Sequence, residues 1–167
     1  GSTLAVTGLI TATAGVTAAV NQHVTVSGTG RFKHGDEELF IHASAFQSSD
    51  ATSLYNQTGY HTGVGGVSVY AAPVLLPVGR QIKSVIFYYN VNSTGAGIQP
   101  RLRRQDFSTG TQADVTAGTS DSTGSAFEGQ TITPSHTIAT GYAYFLEVTV
   151  TNASHRVHGA KVTYDLP

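Results

Sequence analysis

"IKSVIFYYNV", residues Ile82 to Val91, is the stretch that decides the fold class. Taken as an extended segment, it places Val85, Phe87, Tyr89 and Val91 on one face and Ile86 and Tyr88 on the other. Large apolar groups stand on both faces, so both are expected to be at least partly buried. β-branched residues and glycines recur at short intervals along the chain, which favours strands and turns over helices. The class expected is therefore all-β.

Outward from this strand the same alternation returns. In "AYFLEVTV" (Ala143 to Val150), Tyr144, Leu146, Val148 and Val150 oppose Phe145, Glu147 and Thr149. Near the C-terminus Ala160, Val162, Tyr164 and Leu166 alternate with Lys161, Thr163 and Asp165, the pattern of a half-buried strand. Further candidates are "ELFIHASAF" (Glu38 to Phe46), "GVSVYAAPVLL" (Gly66 to Leu76), "GIQPRLRRQDF" (Gly97 to Phe107), Gln112 to Ala117 and "SAFEGQTIT" (Ser125 to Thr133). The stretches "LPVGR", "NSTGAG" and "GTSDSTG" between them have the composition of turns. Roughly eight short strands of this kind suit an antiparallel β-sandwich with jelly-roll topology, with an eight-stranded barrel as the alternative.

At 167 residues the chain fits one domain with a short appendage. Charged residues make up only 11% and the net charge is -1, so no whole-molecule field favours nucleic acid or an anionic membrane. Cysteine is absent, which excludes a disulfide framework and a thiolate metal site. Nothing approaches the roughly 20 continuous apolar residues of a membrane helix, so no membrane insertion is expected. Gly1-Ser2, with no methionine ahead of them, reads as the scar of a cleaved tag, and the sequence is expected to be a fragment of something longer.

The first thirty residues differ from the rest. "TLAVTGLITATAGVTAAVNQHVTVSGTG" (Thr3 to Gly30) has no charged residue and no Phe, Tyr or Trp ring, and it echoes itself weakly in "GLITA" and "GVTAA". Burying a valine or leucine gains ~1.5–3 kcal/mol at best, while fixing each backbone residue costs ~1–2 kcal/mol, so a ribbon this thin does not hold shape alone. Identical copies side by side would cover the apolar faces and pair the open edges. Residues 1–32 are thus expected to form an intertwined β stem and residues 33–167 a β-sandwich head.

"LAVTGLITATAGVTA" resembles the threonine, valine and glycine repeats of phage tail fibres and tailspikes, which lead into a trimeric β head that recognises a cell-surface receptor. The resemblance implies a homotrimer, a virion or extracellular setting, and the remainder of a longer fibre at the N-terminus. "HGDEELFIHASAF" and "LLPVGRQIKSVIFYYN" also resemble a β domain of bacterial and prophage proteins. Neither resemblance supplies catalytic or binding residues.

Seven histidines raise a metal site. His155 and His158, three apart, would face opposite sides of a strand; His34 and Asp36 have the better spacing but read as a charged turn, and His23 could meet its copies on an axis. No metal or cofactor is assigned. No nucleophile elbow, phosphate loop or zinc-protease helix is present, and among Asp106, Asp114, Asp121 and Glu128 no spacing marks a glycosidase pair. Depolymerase activity stays a minor alternative to a non-enzymatic role.

Two stretches suit receptor binding. "SLYNQTGYHTG" offers Tyr55, Asn56, Gln57, Tyr60 and His61 in an expected loop, an aromatic surface beside hydrogen-bonding groups that suits a neutral sugar. In "RLRR", Arg101 and Arg103 share one strand face and Arg104 lies on the other with Leu102, and such guanidinium forks suit an acidic glycan or lipopolysaccharide. The triplets at Asn56, Asn92 and Asn152 match the glycosylation pattern, which recurs by chance in a threonine-rich chain. The function expected is a fibre or spike tip that binds a cell-surface glycan. A ligand-free trimerisation cap and a secreted bacterial lectin or adhesin remain alternatives.

Overall fold

A computed structural model describes residues 35–49, 55–56, 59–62, 67–92, 97–121 and 127–165. The expected stem at 1–32 with His23, and also His34, Gln57 and Leu166, lie outside the described residues. Twelve strands are present among the described residues: β1 (Glu37–His42), β2 (Gln47–Ser48), β3 (Tyr55–Asn56), β4 (Tyr60–Thr62), β5 (Ser68–Pro73), β6 (Gln81–Asn90), β7 (Ile98–Asp106), β8 (Gln112–Ala117), β9 (Phe127–Ile132), β10 (His136–Thr137), β11 (Tyr142–Val150) and β12 (Arg156–Tyr164). A 3-10 turn, Ala43–Ala45, follows β1.

The strands divide into two antiparallel sheets. In the first, β12 pairs with β6 along one edge and with β1 and β4 along the other, β3 extends β4, and β9 and β10 flank the far side of β6. The second runs β2-β5-β11-β7-β8. Among the eight main strands the pairings nest: β1 with β12, β5 with β11, β6 with β9 and β7 with β8. This is the jelly roll expected from the sequence, and the division into two sheets disposes of the barrel.

The alternation that pointed to strands is the alternation that builds the core. Val85, Phe87, Tyr89 and Val91 are buried against Tyr70, Leu102, Leu146, Val148 and Val150 of the facing sheet. Ile86 and Tyr88 are half-buried on the outer face, as expected for a strand covered on both sides. Ile82 joins the core although strict alternation would send it outward. A register shift opposite Thr163 and Tyr164 takes up Lys83 as an extra residue and restores its phase.

A second bulge shapes β12. Val157 lies opposite Tyr89 and Gly159 opposite Tyr88, so His158 is the extra residue and turns outward. Gly159 has a φ of +142°, and a Cβ there would stand 2.5 Å from the Ile41 carbonyl oxygen. Only glycine permits β1 to lie this close to the bulge.

The stretch around Tyr60 is not the loop expected. Tyr55–Asn56 and Tyr60–Thr62 pair as a short antiparallel hairpin, which β4 joins to the end of β12. Strands of two or three residues are too short to show an alternation, which is why turn-rich composition dominated their reading. The pair β10, two residues long, is missed for the same reason.

Candidate functional site

The two outer faces of the sandwich carry different chemistry. On the first sheet, the inward positions of β6 are taken by core residues, so Tyr88 and Asn90 must face out. Register then brings residues from three other strands beside them. Phe127 of β9 lies opposite Asn90, Gly129 lies opposite Tyr88, the bulge presents His158, and Tyr60 arrives on β4.

The rings form a continuous strip. Tyr60 and His158 have centroids 5.5 Å apart, His158 meets Phe127 edge-on at 5.1 Å, and Phe127 lies nearly parallel to Tyr88 at 5.9 Å. The Arg156 guanidinium caps one end, 4.5 Å above the Tyr60 ring. Phe127 keeps 59% of its surface exposed. Beside the strip a recess of about 230 Å³ is lined by Phe40, His42, Tyr88 and His158, with Gly159 and Ala160 in its wall.

Polar groups are interleaved with the rings. His158 Nε2 lies 2.6 Å from Asn90 Oδ1, which assigns the proton to that nitrogen. Burial, with Arg156 adding to it, pushes the His158 imidazole below its ordinary value, so the ring is neutral at pH 7. Lys161 donates to Glu38 at 2.7 Å along the same face.

The outer face of the second sheet is a closed ionic ladder. Glu147 of β11 is only 6% exposed; it accepts from Arg103 at 2.6 Å and from Arg101 at 3.3 Å. Arg103 Nε lies 2.9 Å from Asp114, and Arg101 also donates to Gln99 at 2.6 Å. Strand register makes this arrangement, with Arg101 opposite Glu147 and Arg103 opposite Asp114. Arg104, on the other face, lies over Tyr142 at 4.5 Å.

The residues singled out in the sequence therefore separate. Tyr60 belongs to the aromatic strip. His61, its neighbour, turns inward opposite Val157 and packs its ring 4.9 Å from Tyr70; burial holds its pKa low, outweighing the backbone of Ala43 and Phe46, which acts to raise it. Asn56 registers opposite Tyr60 and Tyr55 opposite His61. Arg101 and Arg103 lie together, as expected, but on the other sheet and already paired.

The histidine pair splits as extended geometry requires: His155 is buried and accepts from the Asn92 amide at 3.1 Å, while His158 faces out. No three His, Asp or Glu residues gather into a metal-sized cluster among the described residues. Of the four candidate carboxylates, Asp106 is bonded to Ser108 at 2.6 and 2.7 Å and Asp114 is held by Arg103. Asp121 and Glu128 do meet. Their hydrogen bond raises the Glu128 pKa, and Tyr89 donates to Asp121 at 3.0 Å. Two carboxyls in direct contact leave no space for a glycosidic bond, which needs a separation of about 5 Å or more.

Sequence reasoning missed Phe127, His158, Arg156 and Asn90 as a group with Tyr60. One signal was present: Tyr88 stands on the outward face of a central strand, where a large ring calls for a companion.

No protein-family model matches the sequence, and no curated protein matches it. Solved structures do. The chain is similar to the CBM36-1 domain of a multidomain xylanase from the hindgut metagenome of Trinervitermes trinervoides, with a TM-score of 0.51 and 12% identity over 78% of this chain and 98% of that one. It is also similar to the C-terminal CBM6 of LamC, a laminarinase from the marine Zobellia galactanivorans (TM-score 0.49, 13% identity, 76% of this chain and 99% of that one). A third is the low-affinity xylan-binding module CBM86 from Roseburia intestinalis (TM-score 0.48, 10% identity, 80% and 97%). At 12% identity the likeness to the first of these is one of fold, an all-β sandwich. The tail-fibre resemblance of Thr3 to Gly30 concerns residues outside the described ones.

Proposed function

We propose that the chain is a non-enzymatic glycan-recognition module, and that the glycan lies across the outer face of the first sheet. The observation that carries this reading is the strip of Tyr60, His158, Phe127 and Tyr88, with Phe127 largely exposed and Arg156 and Asn90 interleaved. The C–H faces of a sugar ring are apolar and pack on aromatic rings, while its hydroxyls need donors and acceptors close by. An exposed apolar surface set among polar groups is the usual mark of a binding site. The fold shared with a carbohydrate-binding module supports the same reading.

Arg101 and Arg103 are secondary in this account, because an acidic glycan or lipopolysaccharide would first have to displace Glu147 and Asp114. The setting is extracellular or on a virion. Residues 1–32 form the stem of a homotrimeric fibre or spike tip and join the remainder of a longer fibre, and residues 33–167 form the head. Three weak sites on one rigid body gain avidity from their effective concentration.

Affinity electrophoresis through gels containing xylan, a β-glucan or a bacterial lipopolysaccharide tests the reading. A polysaccharide is expected to retard the wild-type protein; Phe127→Ala and Tyr88→Ala should lose that retardation and Arg101→Ala should keep it. Loss confined to Arg101→Ala, or no retardation by any polymer, overturns it.

A further inference from the structure

Among the described residues the strands of the first sheet carry three lysines and arginines, and two are already paired: Lys83 with Asp36 and Lys161 with Glu38. The third, Arg156, is exposed and forms no ion pair among the described residues. Its guanidinium lies 4.5 Å from the centre of the Tyr60 ring. Stacking engages the face of a guanidinium and leaves the N–H donors in its plane available. Asn90 registers opposite Arg156 and Phe127 opposite Asn90, so ring, amide and guanidinium form one row across β9, β6 and β12. With Asn90 Oδ1 held by His158 at 2.6 Å, the Nδ2 donors of that amide have no partner among the described residues.

We infer that this site takes a glycan that carries carboxylates, a uronic-acid polymer, and that Arg156 reads the acid; the inference rests on the glycan reading of the aromatic strip. A ligand stacked on Tyr60 and Phe127 displaces water from Arg156 and Asn90. A neutral sugar leaves the guanidinium charge uncompensated as that water goes, whereas a carboxylate supplies the opposite charge and two acceptor oxygens for parallel N–H bonds. The carboxylate of a uronic acid is attached to the sugar ring itself, so it stays beside the platform that holds the ring. No described anion on this face competes for the guanidinium, since Glu38 is held by Lys161 and Asp36 by Lys83. Arg101 and Arg103 differ, because Glu147 and Asp114 already occupy their donors. The net charge of -1 gives no general attraction to polyanions, so the preference is for a placed carboxylate and not for charge density.

Affinity electrophoresis of the full chain tests the inference with polygalacturonate, alginate and hyaluronan, each run beside its carboxyl-reduced form, and with dextran sulfate. At least one uronate should bind the wild type about tenfold more tightly than its reduced form, the effect of one charge-assisted hydrogen-bonded pair. Arg156→Gln should abolish that difference, whereas Arg104→Gln, which removes the same charge from the other sheet, should keep it. Arg156 is exposed, so its replacement should move the urea unfolding midpoint little. Dextran sulfate should retard the protein less than the uronate does. The inference alone is overturned by retardation from neutral polymers only, by equal retardation from a uronate and its reduced form, or by a difference that survives Arg156→Gln. A difference lost equally in Arg104→Gln, or stronger retardation by dextran sulfate, also overturns it. No retardation by any polymer, charged or neutral, overturns the glycan reading as well.

Discussion

The outer faces of the two sheets are both built from alternate residues of long strands, yet one is finished and the other is open. On the second sheet Arg101 and Arg103 converge on a nearly buried Glu147, with Asp114 in an ion pair with Arg103 and Gln99 accepting from Arg101. The arginines and carboxylates of this face pair with one another within the sheet. On the first sheet Tyr60, His158, Phe127 and Tyr88 form one strip of rings, with Phe127 still presenting apolar surface to water. Charged residues that satisfy one another leave little to offer a ligand, whereas aromatic residues left uncovered are free to recognise one.

The largest effect should come from breaking the finished face. Glu147→Ala leaves two half-buried guanidiniums without their shared carboxylate and should cost about 3–5 kcal/mol in urea unfolding, with retardation by polysaccharide kept at temperatures where the variant is folded. An unchanged unfolding midpoint would mean that the ladder is ornamental. Next comes the frame of the open face. Gly159→Ala places a Cβ against the Ile41 carbonyl at an unfavourable positive φ; a loss of about 2–3 kcal/mol is expected, together with weaker binding because His158 rides on the same bulge.

Smaller still is the loss of one ring. Phe127→Ala should weaken glycan binding about tenfold by titration calorimetry while moving the unfolding midpoint little, since its ring is mostly exposed. Large destabilisation without loss of binding would mean that the strip is packing, not recognition.

The smallest effect is pH dependence. His61, His136 and His158 are each held below their ordinary value of 6.5, chiefly by burial. The unfolded chain therefore takes up protons before the folded one does. Stability is complete above pH 6.5 and falls as pH drops toward the lowered folded values, then levels off. Thermal unfolding midpoints at pH 7.5 and 5.5 should differ in that direction, and His61→Phe should reduce the difference. A midpoint that rises on acidification contradicts these assignments.

Much of the fold was legible because alternation runs through β11 and through most of β6 and β12. What alternation cannot show is where a bulge inserts a residue. The phase changes at Lys83 and His158 are set by pairing with distant strands, and they moved Ile82 inward and His158 outward. Glu147 read as an outward charge, correctly by phase, but its burial depends on two arginines 44 and 46 positions away. The site was half legible. Tyr60 stood out in an aromatic, amide-rich stretch, whereas Phe127 and His158 join it only through strand register. His61 shows the limit from the other side: one residue from Tyr60, it faces the core because adjacent strand residues point in opposite directions.

The central claim is that the open face of the first sheet is where a glycan binds. Amide chemical shifts of the isotope-labelled protein, followed while adding an oligosaccharide cut from whichever polymer retards it, test this most directly. The account predicts perturbations centred on Tyr60, Tyr88, Phe127 and His158, with the amides of Arg101, Arg103 and Glu147 unmoved. Perturbations centred on the Arg101–Glu147 ladder, with the aromatic strip silent, would contradict it.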